Sequence, residues 1–375
     1  MIKKFLQKIF KSASYGLFFQ IYGKIKNSIK HNNDSRIIVK EINFDKDLSY
    51  NVYSIIDGRL YTDRIQDTAI LIDDSIIDKP SFQFRYTKNL EIYNSNVKDN
   101  VVFKKGTPRK LKKLRGTVLS LLTGGGGNNN YWHWLFDVLP RLHLCQQMIN
   151  LNDVDFFLIP DDVKKFQKES LDSLNIPNHK RLSSKIFRHI QANKLITTDH
   201  PVVISGNATK DIMNMPVWIS KWLKSQFIKK TVSNKHKNLN RIYIDRNTNN
   251  PKDSPIRFIE NENEIKQYLI SKNFTPTKLH ELKFMEQVEL FSNAEFIVGL
   301  HGSGFANLAF CRPNTKVVEM KSLTAGDPIK NLSEKNKLIY ESISVKSKQV
   351  KDFNSPNQHG TITIDVNQLK KIIEG

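Results

Sequence analysis

Apolar residues at Ile2, Phe5, Leu6, Ile9 and Phe10 recur at the spacing of one helix face, which predicts a helix with a greasy side at the start of the chain. His31-Asn32-Asn33-Asp34 breaks that pattern, and a β-leaning region follows. Residues 68–73 and 81–86 read as strands, and 116–122 as a short buried strand. Residues 124–130 hold four Gly and three Asn and read as a loop; 131–148 read as a helix. Next come a strand over 155–159 and helices over 162–174 and 216–230. The stretch 231–240 is polar, basic and without apolar periodicity, as a linker would be. Beyond it, strands over 241–245, 274–277, 295–300 and 316–320 alternate with helices over 260–271, 283–292 and 304–310. Such alternation predicts a parallel sheet covered on both faces, hence an α/β fold.

The chain of 375 residues is long for one domain and comfortable for two. The expected division is a helix over 1–33, an N-terminal domain over 34–230, a linker over 231–240 and a C-terminal domain over 241–375. The last helix is expected to pack back on the N-terminal domain. A hydrophobic fraction of 39% with 22 Phe supports real cores and excludes wholesale disorder. Cys145 and Cys311 form neither a CxxC nor a zinc spacing, so they read as buried thiols in a reducing compartment.

The net charge of +21 favours polyanionic partners: nucleic acid, an anionic membrane surface or a nucleotide diphosphate. Residues 1–30 carry seven Lys and no acid. Their apolar run, 15–22, is too short to span a bilayer and lacks a signal-peptide cleavage site. Two readings follow, a basic amphipathic helix on an anionic membrane surface and a helix packed on its own domain with Lys in water. The first fits a cytoplasmic protein lying peripherally on the inner face of a bacterial inner membrane. Lys104, Lys105, Arg109, Lys110, Lys112, Lys113 and Arg115 form a second basic cluster. It has no interleaved aromatics, so a solvated or membrane-facing patch is preferred to a nucleic-acid site.

The clearest chemistry lies at residues 295–310. A buried-type strand runs into His301-Gly302-Ser303-Gly304 and then into an apolar helix start. Glycines let backbone approach an anion, and the free N–H groups and dipole of a first helical turn favour phosphate. His301 could donate to a phosphate oxygen. Glu319, late in the next strand, is placed to hold ribose hydroxyls, and Gly326-Asp327-Pro328 reads as another helix start on the same edge. A dinucleotide fingerprint fails because Asn307 replaces the third Gly. An esterase would need a GxSxG elbow and a P-loop its GxxxxGK[ST], and both are absent. A structural turn with a satisfied His is the plain alternative.

The second constellation is 129–142. His133 and Asp137 are four apart and share a helix face, with Arg141 extending the stripe. Asp137 could orient His133 as a general base, or itself be the base; a purely structural His–Asp pair is the alternative. Trp132, Trp134 and Phe136 read as core or as a sugar-stacking wall. Asn130, Trp134 and Arg141 are the acceptor-side candidates.

Taken together, these segments resemble glycosyltransferase family 61. The likeness rests on Asn130-Tyr131-Trp132-His133-Trp134-Leu135-Phe136-Asp137-Val138-Leu139-Pro140-Arg141-Leu142, then on Arg241-Ile242-Tyr243-Ile244-Asp245-Arg246. Arg257 follows with Asn261-Glu262-Asn263-Glu264, then Phe284-Met285-Glu286-Gln287-Val288, then 298–307 and Lys316-Val317-Val318-Glu319. The motifs occur in family order across about 116–320. The resemblance implies an inverting enzyme of the GT-B type, two Rossmann-like domains facing each other across a cleft. It makes Arg246 the diphosphate clamp, with Arg257 assisting, as a guanidinium binds phosphate bidentately. One departure is Asp245, where the family has Ser; its charge would oppose a diphosphate, so it is not expected to be a ligand. Asn261 and Glu262 are expected to cap the next helix.

The expected reaction moves a hexosyl or pentosyl group from a nucleotide-diphosphate sugar, a UDP-sugar by preference, to a hydroxyl of a growing cell-surface glycan: capsule, lipopolysaccharide or exopolysaccharide, with a lipid-linked acceptor among the readings. The donor site comprises Arg246, Arg257, His301, Gly302, Ser303, Gly304, Asn307 and Glu319. No cofactor and no metal are expected; Asp153-Val154-Asp155 spells DxD but abuts a strand and reads as a helix–strand junction. The alternatives are a non-catalytic carbohydrate-binding relative and a basic nucleic-acid-binding protein. Donor sugar, base, acceptor, linkage and oligomeric state are not encoded in any pattern found.

Overall fold

A computed structural model describes residues 2–64, 66–123, 130–161, 164–230, 239–246, 257–348 and 360–375. Most of the glycine-rich loop (124–129) and of the expected linker (231–238) lies outside them. Two compact units emerge, Met1–Asp211 and Ile212–Gly375. The break falls ahead of the expected linker because the helix Val217–Phe227 belongs to the second unit. Its Phe227 ring meets Phe284 edge-on at 4.8 Å and Phe310 at 6.2 Å.

The first unit begins with a helix over Ile2–Tyr22. Its main sheet is centred on the long strand His189–Thr198. On one side that strand runs parallel to Lys112–Ser120, then Phe156–Ile159, then Arg181–Ser183. On the other it pairs antiparallel with Leu48–Ile56 and Arg59–Arg64, each half of a hairpin. The sheet is therefore mixed. The parallel half is compatible with the Rossmann-like expectation; the hairpins are additions to it. Strand Asp67–Ile72 shows how both faces are covered: Ile70 and Ile72 enter one core cluster, Ala69 and Leu71 the other.

The helix expected over 131–148 is interrupted. Tyr131–His133 is α-helical, Trp134–Val138 widens into a π-turn, and Pro140–Gln146 resumes the α-helix. Pro140 has no N–H to give the Phe136 carbonyl, and its ring would press on that carbonyl. The chain relieves the crowding with an i→i+5 bond from Leu139 N to Trp134 O at 3.1 Å.

The second unit holds a five-stranded, wholly parallel sheet in the order Thr275–Thr277, Arg241–Ile244, Phe296–Leu300, Lys316–Ser322, Ile339–Val345. In chain order this is 2-1-3-4-5, a doubly wound arrangement whose order reverses between Arg241–Ile244 and Phe296–Leu300. Strand residues Val298, Leu300, Val318 and Met320 pack against helix residues Ile265 and Leu269. The last helix, Val366–Glu374, corrects one expectation. Its Leu369 and Ile373 join this same core, so the buried face of the helix packs on its own unit.

Candidate active site

Ligands of open parallel sheets bind beyond the carboxyl ends of the strands, where the order reverses. Here that point is flanked by Asp245-Arg246, leaving the first strand, and by His301-Gly302, leaving the third. Arg246 Nη1 donates to the His301 carbonyl at 2.8 Å, and Arg257 Nη1 donates to the same oxygen at 3.1 Å. Two guanidiniums thus share one neutral acceptor. Burial lowers the Arg246 pKa, against the opposing pull of Glu262 and Tyr243. Burial and then repulsion by Arg246 push Arg257 down to about 10. A dianion placed between them would relieve that repulsion.

Small residues make the approach possible. A Cβ on Gly302 would lie 2.8 Å from Arg246 Nη1, so a side chain there would displace the guanidinium. One on Gly299 would lie 3.1 Å from Phe305 and from Ile244. The helix after the turn, Ser303–Phe310, is a 3₁₀ helix in place of the expected α-helix, opened by a bond from Phe305 N to Gly302 O at 3.1 Å. Ser303 and Gly304 form its first turn and are partly accessible.

Three expected donor ligands need revision in their surroundings. His301 Nδ1 is hydrogen-bonded to Glu319 Oε1, and Tyr340 Oη donates to Glu319 Oε2. Both oxygens of the fully buried Glu319 are engaged, which makes it the orienting partner of His301 in place of the expected ribose ligand. A carboxylate only accepts, so Nδ1 of His301 is the donor of this bond and Nε2 is the ring nitrogen left for other partners. Asn307 is also fully buried and spans Gln287 Oε1 at 3.0 Å and the Gly304 carbonyl at 3.2 Å, so it braces the turn from inside. Asp245 is buried and paired with Lys266 at 2.5 Å, which neutralises the charge that sets it apart from the family pattern. Asn261 stands at the N-cap position, yet its side chain bonds the Ile364 backbone and, at 3.1 Å, the Glu264 carboxylate and not the backbone amides of the first turn, while Glu262 accepts from Tyr243 Oη at 2.8 Å.

In the first unit, His133 Nδ1 and Asp137 Oδ2 lie 2.7 Å apart, with the side chains 25% and 8% exposed. Burial would lower the His133 pKa, but the charge and hydrogen bond of Asp137 outweigh it and the pKa is raised. For Asp137 burial pushes upward, and His133, His200 and Arg141 together pull the pKa below its ordinary value. By the same donor argument, the lone pair of His133 lies on Nε2 whenever the ring is neutral. Among the described residues Asp137 Oδ1 has no hydrogen-bond partner.

The acceptor-side candidates divide. Asn130 is exposed and caps the helix, its Oδ1 accepting from Trp132 N at 2.9 Å. Trp134 is fully buried with its indole N–H on Ser170 Oγ at 2.8 Å, so it is a core residue and no sugar wall. Arg141 is fully buried too. It donates to Thr198 O and Oγ1, both at 3.2 Å, lies over the Phe82 ring and is pushed by burial down to about 10. It supports the Asp137 charge from within and cannot reach an acceptor.

Sequence reasoning passed over His200 and Tyr340. His200 Nδ1 accepts from Val202 N at 3.1 Å and Val203 N at 2.9 Å, and burial takes it down to about 3, so it stays neutral near Asp137. A lone His in a loop, 67 positions from His133 by subtraction of their numbers, carries no periodic signal. Among the described residues no group of three or more His, Cys, Asp or Glu could hold a metal ion. Asp155 of the DxD sequence accepts from Thr117 N at 2.7 Å, tying the turn to the neighbouring strand.

A family model described as Glycosyltransferase 61 matches residues 131–318, just over half of the chain. The match contains His133, Asp137, Arg246, Arg257 and His301 and stops one residue short of Glu319. No curated protein matches the chain.

Proposed function

The chain belongs to glycosyltransferase family 61, and from that premise we propose that it transfers a sugar from a nucleotide-diphosphate donor to a glycan hydroxyl with inversion at the anomeric carbon. The observation that carries this reading is the convergence of Arg246 and Arg257 on the His301 carbonyl at the sheet's switch point. Two half-buried cations converging on one neutral oxygen suit a leaving pyrophosphate, whose charge grows as the bond to the sugar breaks. In the displacement, the acceptor oxygen forms a bond to the anomeric carbon as the bond from that carbon to the diphosphate oxygen breaks. The acceptor proton passes to His133 Nε2, and Asp137 stabilises the imidazolium. Donor binding falls to the second unit and acceptor activation to the first. His301 Nε2, fixed through Glu319 and Tyr340, and the amides of the 302–304 turn complete the donor side.

The arginine pair takes over the charge neutralisation that a metal would otherwise supply, so turnover is proposed to survive chelation. A UDP-sugar is the preferred donor and a lipid-linked surface glycan the preferred acceptor. The test is a thermal-shift series of the full chain against UDP-, GDP-, CMP- and TDP-sugars, repeated with Arg246→Ala. A nucleotide that raises the Tm of the parent but not of the variant supports the reading. Equal shifts in both would remove the arginine from the donor site.

A further inference from the structure

The helix Ile2–Tyr22 has two unlike sides. Tyr15, Phe18, Phe19 and Tyr22 lie on one and hold the helix to the first unit. Tyr15 Oη accepts from Arg109 Nη2 at 3.3 Å, and Tyr22 Oη accepts from Leu111 N at 2.9 Å. The Tyr22 ring meets His189 edge-on at 5.0 Å, and Phe19 packs so closely on Gly106 that a Cβ there would lie 2.8 Å from its ring. Among the described residues nothing covers the other side. Phe5, Ile9, Ala13, Leu17 and Ile21 follow each other at four-residue steps, with Leu6 and Phe10 beside them. The large residues of that row are exposed by 51% at Ile9 up to 74% at Phe10. The stripe is about 24 Å long at 1.5 Å per residue, far more contiguous apolar surface than scattered exposed side chains leave.

Charge then selects the partner. No acid occurs in residues 1–30. The docked side of the helix seats against residues 106–111, which carry the second basic cluster to the same place. Lys11, Lys24, Lys104, Lys105, Lys110, Lys113 and Arg115 are exposed there. No helix of the described residues is long and apolar enough to cross a membrane. We propose that this surface lies on an anionic lipid bilayer, the Phe5–Ile21 stripe sinking into the headgroup and acyl boundary while the two basic segments meet acidic headgroups. Either signal alone binds weakly and reversibly; an apolar stripe rigidly tied to a basic cluster supplies both. The inference is independent of sugar transfer, since neither candidate constellation contributes to it.

The experiment is co-sedimentation of the full chain with vesicles of phosphatidylcholine, and with vesicles of which about a third is phosphatidylglycerol. The parent is expected to pellet with the anionic vesicles, less so as salt rises. Ile9→Asp with Phe10→Asp should lower the bound fraction at least about tenfold with Tm unchanged, since exposed side chains support no core. Lys104→Glu with Lys105→Glu should lower it less and blunt the salt dependence. A parent that stays in the supernatant, or a double Asp variant that pellets like the parent, would overturn the proposal. So would equal, salt-insensitive binding to both vesicle types. A parent dimer in solution that the Asp variant dissolves, without vesicle binding, would assign the stripe to a second copy.

Discussion

Each unit holds a histidine whose Nδ1 rests on a carboxylate: His133 on Asp137 in the first, His301 on Glu319 in the second. The pairs look alike in isolation and differ in what surrounds them. Glu319 is saturated, its second oxygen taken by Tyr340. The charge around it sits elsewhere, on Arg246 and Arg257, and those two point at a backbone carbonyl. Asp137 keeps one oxygen without a partner among the described residues and lies in the field of His133 and Arg141. The surroundings of Glu319, the first of the two, hold a histidine still and gather cationic charge on the carbonyl beside it, which suits an anion. The second concentrate the field on the histidine itself and raise its pKa, which suits proton transfer. One pairing thus serves two purposes, and the neighbours decide which.

The widest separation between the two sites should come from the arginines. Arg246→Ala with Arg257→Ala is expected to reduce kcat/KM on the order of 10⁴-fold by removing charge stabilisation that grows in the transition state. Isothermal titration should show nucleotide diphosphate binding lost in the same protein. His133→Ala should cost about a thousandfold in kcat, within the range of general-base loss, with donor affinity unchanged. If instead donor affinity fell and kcat held, the contrast between the sites would be reversed.

The pH profile sharpens the same point. A base is active only when neutral, and the raised pKa of His133 keeps it protonated to a higher pH than an ordinary histidine. Turnover should therefore rise with pH through a value above 6.5, the ordinary histidine pKa. Below it the rate should fall about tenfold per unit, as for a single titrating base. Asp137→Asn removes the pull that raises the pKa, so the rise should move to lower pH while the plateau drops. An unmoved midpoint in that variant would show that Asp137 does not set the titration. Because the pair is coupled, the measured value belongs to both residues.

Smaller effects come from the second pair. Tyr340→Phe frees one oxygen of Glu319 and should weaken nucleotide binding only about fivefold, the scale of a single hydrogen bond; His133-dependent steps should not change, as single-turnover measurements would show. Smallest of all is Trp134→Phe. Losing the indole bond to Ser170 should lower stability by about 1 kcal/mol in denaturant unfolding and leave turnover intact, as expected of a core residue.

Much of this was legible in the chain. Apolar runs marked four of the five strands of the second unit's parallel sheet, all but the edge strand Ile339–Val345, and the step from Leu300 into His301-Gly302 marked the turn. The i, i+4 spacing of His133 and Asp137 put them on one face, and the structure joins them at 2.7 Å. The strand His189–Thr198 escaped notice because His, Gln, Asn and Lys interrupt its alternation. It is central only because neighbours on both sides shelter its backbone. The π-turn before Pro140 escaped as well, since a proline within a helical pattern announces a disturbance without its form.

What the sequence determined alone was local: where helices and strands form, which residues can bear charge, and which face of the first helix is apolar. Spacing along a chain is enough for that, because residues four apart on a helix must be neighbours. What the tertiary structure decided was availability. Arg141, Asn307 and Glu319 have the chemistry of ligands but are sealed in and spoken for, whereas Arg246 and Arg257, eleven positions apart by their numbers, arrive at one oxygen. Burial and partnership arise from segments distant in the chain packing together, and a charge means one thing in water and another when protein encloses it.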